Sequence, residues 1–365
     1  MRHAVVHGGA VVVKVGSSSL SAPTGGIDAD AVGRVVDQVA ALRSSGHPCV
    51  LVTSGAISAG IPALGLTDRP TAISDLQVAA AVGQTRLMEQ YSSRFAGLGI
   101  EVGQVLLTRD VLGNRSQYLN ARNAMTRMLE LGVLPIVNEN DTVVVDELKL
   151  GDNDRLAAIV SHLVGAAMLV ILTDTSGLFT GDPRLTDDAQ LVTAVKHSDE
   201  LLDRIRATSG KGTFGSGGVA TKIVAARMAA FSGIPTVIAA SNEPDAVVTA
   251  VAGGDVGTWI DPKEDRLNAR KLWIAFGVRS QGQLVIDAGA ANAVATGGKS
   301  LLGVGVVEAS GDFEIGDAVD VVDVTGLQRA KGIVRVSQAD LNAGLGLHTS
   351  ELGTEVIHRD DMVVF

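Results

Sequence analysis

The chain has 365 residues, 46% of them hydrophobic but only 3% aromatic, with a formal net charge of −10. That length exceeds one average domain and fits a large one plus a small one. A core short of aromatics must be built from Ala, Val, Leu and Ile, which suits buried parallel strands. A mean hydropathy of +0.29 raises the question of a membrane span. The longest apolar stretch, Leu156 to Leu172, is interrupted by Ser161, His162 and Gly165 and bracketed by Arg155 and Asp174. It reads as a buried helix running into a buried strand, so no membrane association is expected. The opening MRHAVVHGGAVVVKVG lacks the apolar segment and cleavage site of a secretion signal, and a cytoplasmic location is expected. The single cysteine, Cys49, cannot form an internal disulfide and reads as a buried structural thiol rather than a nucleophile.

In chain order, β-branched runs predict strands at Ala10 to Val15, Cys49 to Thr53, Val102 to Leu107, Val133 to Val137, Met168 to Leu172 and Thr236 to Ala239. Between them, Ala-rich patterns predict helices at Asp28 to Ser44, Ala72 to Phe95, Ser116 to Leu131, Asp154 to Val164 and Gly217 to Ser232. This alternation predicts an α/β class: a mainly parallel open sheet sandwiched by helices, with ligands at the carboxyl ends of its strands. The pattern changes after Asp261. A charged linker or connecting helix leads into short runs at Gln283 to Ile286, Gly303 to Val307, Ala318 to Val322, Gly332 to Val336 and Glu355 to Val356, punctuated by Gly and Asp. They predict a small C-terminal β-barrel. The expected division is 1–262, a linker at 263–277, and 278–365.

Five polar loops follow the predicted strands. In VVVKVGSSS, Lys14 precedes Gly16 and three serines whose N–H groups could cradle phosphate; a strand-edge lysine before a polar turn reads equally well. In LVTSGAISAG, Ser54 could donate to a carboxylate and Gly55 permits close backbone approach, or Ser54 caps a helix. In IVNENDTVVVDELKLGDNDRLAAIV, two acid and amide clusters flank a hairpin-like excursion. They are solvated turns or a helix cap, or a site for cations and amino groups. TDTSGLFTGDPR follows the next apolar strand. In GTFGSGGVATKIVAARMA, a glycine-dense loop opens a helix carrying Thr221 and Lys222, which suits a nucleotide phosphate at a helix N-terminus, or is a flexible loop. Together the loops supply two lysines, several Asp side chains and Gly-rich donors, the parts that phosphoryl transfer needs. No His lies in them, which disfavours acyl hydrolysis by a serine.

With these motifs the chain resembles the amino-acid kinase family over nearly its whole length, and within it the enzymes that phosphorylate the side-chain carboxylate of glutamate. VTSGA, VNENDTV, LGDNDRLAA and GSGGVATKIVAA carry the likeness. Ile286 to Val319 resembles the start of a PUA domain. The resemblance implies Lys14 and Lys222 on the transferring phosphoryl group, Asp154 orienting both, and Ser54, Gly55, Asp141 and Asn153 holding L-glutamate. It implies Thr173, Asp174, Ser216, Gly217, Gly218, Val219, Ala220 and Thr221 around ATP, with Lys14, Gly16 and Lys222 at its phosphates. Mg2+ is expected on ATP, with Asp152 as the nearby carboxylate. The implied pathway is proline biosynthesis, with proline as a feedback inhibitor and a homo-oligomeric assembly. KVGSSS lacks the double glycine usual in aspartokinases and acetylglutamate kinases. Uridylate, carbamate and isopentenyl phosphate kinases are the alternatives. RNA binding by the C-terminal part is disfavoured, since residues 276–365 hold six Lys and Arg against twelve Asp and Glu.

Overall fold

A computed structural model describes residues 2–22, 25–108, 111, 114–143, 152–186, 188–208, 218–264, 266–343 and 354–365. The chain divides into two compact units, 1–266 and 267–365.

The large unit begins with β1 (Val11–Val15), buried at every residue, as a strand covered on both faces must be. A short 3-10 turn at Ser17–Ser19 follows, then α1 (Ala29–Ser44), capped by Asp28, whose carboxylate accepts from the N–H groups of Asp30 and Ala31. Next come β2 (Cys49–Val52), α2 (Ala56–Ala63) and the long α3 (Ile73–Ala96). β3 (Val102–Leu107), α4 (Arg115–Glu130), β4 (Leu134–Glu139), α5 (Asp152–Leu163) and β5 (Met168–Thr173) continue the alternation. The unit closes with β6 (Ala194–Lys196), α6 (Glu200–Thr208), α7 (Val219–Phe231), β7 (Thr236–Ala240), α8 (Ala246–Val251) and β8 (Thr258–Asp261).

These strands form one eight-stranded sheet in the order β3-β4-β2-β1-β5-β7-β8-β6. All pairings are parallel except β7 with β8. β1 pairs with β2 and β5 on its two sides, so Lys14 stands level with Val52 and Ile171. The carboxyl ends of β1, β2, β4 and β5 therefore share one edge of the sheet, the edge where ligands collect. The central core packs β1, β2 and β5 against Val32, Val35 and Val39 of α1 and Leu87, Tyr91 and Phe95 of α3. Cys49 is buried within it, and burial pushes its thiol up to about 12. No helix among the described residues is long and apolar enough to cross a membrane.

The small unit contains α9 (Ala269–Leu272), a π-helical turn at Trp273–Gly277, β9 (Ser280–Ile286), α10 (Ala288–Gly297), β10 (Val306–Gly311), β11 (Ala318–Asp323), β12 (Gln328–Val334), α11 (Gln338–Ala343) and β13 (Ile357–Val364). Its five-stranded sheet runs β10-β9-β11-β12-β13. Leu301, just before β10, bridges to Ile357 of β13, which brings the two ends of that order together.

Three sequence expectations are corrected here. The run Gly303 to Val307 opens with a 3-10 turn at Gly303–Gly305, and the strand starts only at Val306. The run at Glu355 to Val356 ends just before the last strand begins. The sequence reading also omits β6, β8, α6, α8, α10 and α11. β6 and β8 have only three and four residues, and Asp287 caps α10 at a point where Gly and Asp suggest turns.

Candidate active site

A lysine inside a fully buried strand needs a countercharge. Lys14 finds it in Asp154, the third residue of α5: Nζ lies 2.5 Å from Oδ1. Lys222, in the first turn of α7, lies 3.6 Å from Oδ2 of the same carboxylate. The Thr221 hydroxyl donates to that Oδ2 at 2.7 Å and lies 2.8 Å from the Gly218 carbonyl. Asp154 is fully buried, and Lys14 and Lys222 are 3% and 6% exposed. Burial alone would raise the Asp154 carboxyl. The two ammonium groups and the hydrogen bonds from Lys14 and Thr221 outweigh it, so the group titrates below its ordinary value and stays ionised. For Lys14 burial is the largest influence and lowers its ammonium, with Asp154 opposing. The arrangement is one buried carboxylate holding two lysines, one at each oxygen. A mere helix-capping role for Asp154 is thereby corrected, since it lies inside the helix and its carboxylate is spent on side chains.

Around this centre, Gly16 follows β1 in extended conformation, and a side chain there would start 3.3 Å from Lys14 Nζ. Gly218 caps α7 and has no side chain to offer the first N–H groups, those of Val219 and Ala220. At the end of β5 the buried Thr173 donates its hydroxyl to the exposed Asp174 at 3.0 Å. Ser216 and Gly217 lie outside the described residues, as does the side chain of Asp152. Among the described residues no three His, Cys, Asp or Glu side chains converge as a metal cage.

A second group of polar side chains begins at β2. Gly55 has φ of +103°, a conformation that favours glycine, and it is the cap of α2. Ser54 is therefore not the helix cap. Its hydroxyl accepts instead from the Asn153 amide at 2.9 Å, and the same amide donates to the Thr53 carbonyl and to Asn138 Oδ1, both at 2.9 Å. Asp141 follows β4 and, with Glu139, lines a cavity of about 380 Å3. It sits within electrostatic reach of Arg69. Thus Lys14, Asp154, Lys222 and Thr221 form one connected cluster, and Ser54 and Asn153 a second, joined through neighbouring residues of α5.

Sequence reasoning missed Asn138, Gln84, Thr53 and Tyr91. Asn138 donates to Gln84 Oε1 at 2.7 Å, and the Thr53 hydroxyl bonds the buried Tyr91 hydroxyl at 2.9 Å. Asn138 was visible inside the Asn-Glu-Asn-Asp cluster. Gln84 and Tyr91 sit in the regular pattern of α3 and give no local signal.

The model of the amino acid kinase family matches residues 9–240, and that of the PUA domain matches residues 282–354. The chain belongs to the amino acid kinase family. Two relatives named glutamate 5-kinase, from Marinomonas sp. (strain MWYL1) and Burkholderia mallei (strain SAVP1), are each 45% identical over 372 residues. Both alignments cover 100% of this chain, with 99% of the first relative and 100% of the second. Among solved structures, a UMP kinase from Bacillus anthracis matches at 15% identity and TM-score 0.48, over 70% of this chain and 97% of that one. As an amino acid kinase with a C-terminal PUA domain, this chain carries its buried Lys-Asp-Lys centre wholly inside the family-matched region.

Proposed function

We propose that this chain transfers the γ-phosphoryl group of ATP to the side-chain carboxylate of L-glutamate, the first step of proline biosynthesis. The observation that carries the reading is Asp154, fully buried between Lys14 and Lys222. Two fixed positive charges in a dry site are what a migrating, multiply negative phosphoryl group requires. The full-length likeness to glutamate 5-kinases supports glutamate as the acceptor.

In the proposed step a γ-carboxylate oxygen attacks the γ-phosphorus while the bond to the β,γ-bridging oxygen breaks. That electron pair leaves with ADP, and no proton changes place. The nucleophile is already ionised, so the protein supplies no base and works by placement and charge. Lys14 and Lys222 neutralise the moving group, with Asp154 fixing both. Gly16, Thr173, Asp174 and the segment Ser216 to Thr221 hold ATP. Ser54, Gly55, Asn153 and Asp141 hold glutamate, with Asp141 suited to the ammonium. Mg2+ would arrive on the ATP phosphates, whose charge it neutralises, because such ions take few protein ligands; Asp152 is the carboxylate offered to it. Catalysis is assigned to residues 1–262, joined by 263–277 to the PUA-like part. Inhibition by proline near the glutamate site and a homo-oligomeric assembly belong to the same reading.

A substrate panel tests it. With ATP, Mg2+ and hydroxylamine to trap any acyl phosphate, glutamate is expected to give hydroxamate, and aspartate, acetylglutamate and carbamate little or none. UMP is followed by ADP release. Faster turnover of UMP or acetylglutamate than of glutamate would overturn the assignment.

A further inference from the structure

Gln84 is held beside the acceptor loop by a helix crossing that admits no side chains. A Cβ at Gly83 would lie 1.8 Å from the Ala56 carbonyl oxygen, and one at Gly60 would lie 1.9 Å from that of Ala79. α3 therefore touches α2 backbone to backbone, at the residue that follows Ser54 and Gly55. Two turns further along α3, Tyr91 bonds Thr53. These two attachments fix Gln84 against the carboxyl ends of β2 and β4.

The amide orientations follow from groups that can play only one part. The Glu139 backbone N–H donates to Asn138 Oδ1 at 2.9 Å, and a backbone N–H cannot accept. Asn138 must then offer Nδ2 to Gln84, and Gln84 must answer with Oε1. The Gln84 NH2 group is left buried, with no acceptor among the described residues. A second chain of bonds starts at the Thr53 carbonyl, which can only accept. It fixes Nδ2 of Asn153, and leaves Asn153 Oδ1 buried with no hydrogen-bond donor among the described residues. Among the described residues, the Gln84 NH2 is thus an orphan donor and Asn153 Oδ1 an orphan acceptor. A buried polar group without a partner is destabilising, so a ligand that supplies both partners is favoured. Gln84 also lines the cavity shared by Glu139 and Asp141. Two acids there suit an ammonium, and a carboxylate beside them needs a neutral or positive donor.

We propose that Gln84 is a specificity-determining residue of the acceptor site, with its side-chain NH2 donating to the α-carboxylate of the amino acid. This rests on the reading that the acceptor is glutamate. The γ-carboxylate is engaged at the Lys14 and Lys222 centre, which leaves the α-carboxylate for Gln84.

The test uses the full chain with glutamate and with its α-amide analogue, isoglutamine. Gln84→Glu keeps an acceptor for Asn138 and replaces the donor by an oxygen. It is expected to raise glutamate KM by about tenfold or more, to shift relative kcat/KM toward isoglutamine, and to leave ATP KM near wild type. If Gln84 only anchors Asn138, the variant affects glutamate and isoglutamine alike, and an unchanged substrate ratio overturns the proposal. Should Gln84→Glu fold poorly, Gln84→Met decides: glutamate KM rising while isoglutamine KM holds supports the contact, and an equal change in both overturns it. Wild-type protein that phosphorylates no glutamate would defeat the underlying reading instead, a result distinct from either.

Discussion

Replacing Asp154 by Asn removes one negative charge and almost no volume at the point where Lys14 and Lys222 meet. All three side chains are buried, so water cannot take the place of the carboxylate. Lys14 loses a charged partner at 2.5 Å and Lys222 one at 3.6 Å, while Thr221 can keep an acceptor. Breaking a buried pair from one side costs about 3–5 kcal/mol, and here the remainder is two ammonium groups facing each other. Part of that cost falls on folding and part on the transition state. We expect kcat to fall by about a hundredfold to a thousandfold, the scale of losing one preorganised electrostatic contact, with a much smaller change in glutamate KM. Lys222→Ala should behave likewise, and the double variant should be far less than additive, because the residues serve one function. Initial rates of hydroxamate formation at saturating ATP measure this. The stability gap between wild type and Asp154→Asn should also depend on pH. The folded carboxyl titrates below the ordinary 3.8, so its contribution is full above that pH and is lost as pH falls through the lowered value. An Asp154→Asn protein with wild-type kcat and wild-type stability at neutral pH would refute the shared-carboxylate reasoning.

Three further outcomes are expected. Gly83→Ala places a methyl group 1.8 Å from the Ala56 carbonyl oxygen, so a lowered melting temperature and weaker glutamate binding should appear together; an unperturbed variant would show that the helices separate freely. Burial holds the Lys14 ammonium below 10.5, so kcat should decline on the alkaline side before that pH as the proton is lost, and Asp154→Asn should move the decline to lower pH; a pH profile flat to 10.5 contradicts this. A chain ending near Lys263 should retain measurable glutamate-dependent turnover, because every proposed catalytic residue lies before Ile223; a folded but inactive truncation would assign part of the site to the C-terminal region.

The sheet was legible because its strands are short apolar runs, rich in Val, Ile and Leu, broken by Gly, Ser and Asp. β3 matches its expected bounds at both ends, and β1, β2, β5 and β7 match to within a residue. Lys14 stood out for a related reason: a charge at the end of an apolar strand demands an explanation. Its carboxylate partner was named only through family likeness, since Lys14 and Asp154 are far apart in sequence and nothing local selects Asp154 over Asp152. The α2 and α3 crossing was not legible, although Gly60 and Gly83 were visible. Glycines in helices usually signal weakness, and only the approach of Ala56 and Ala79 makes these two a contact surface.

The first turn of α5 joins the two halves of the proposed site. Asn153 reaches Thr53, Ser54 and Asn138 on the acceptor side, and the next residue, Asp154, holds both lysines on the phosphoryl side. Successive residues on a helix point about a hundred degrees apart, so adjacent positions can face two ligands at once. A tilt of this turn would move the acceptor contacts and the lysine countercharge together. Placement of the acceptor and neutralisation of the phosphoryl group are therefore mechanically linked. Substitutions among Ser54, Asn138 and Asn153 that loosen the turn should then depress kcat as well as raise glutamate KM, whereas Gln84→Glu, which keeps the Asn138 bond, should act on KM alone.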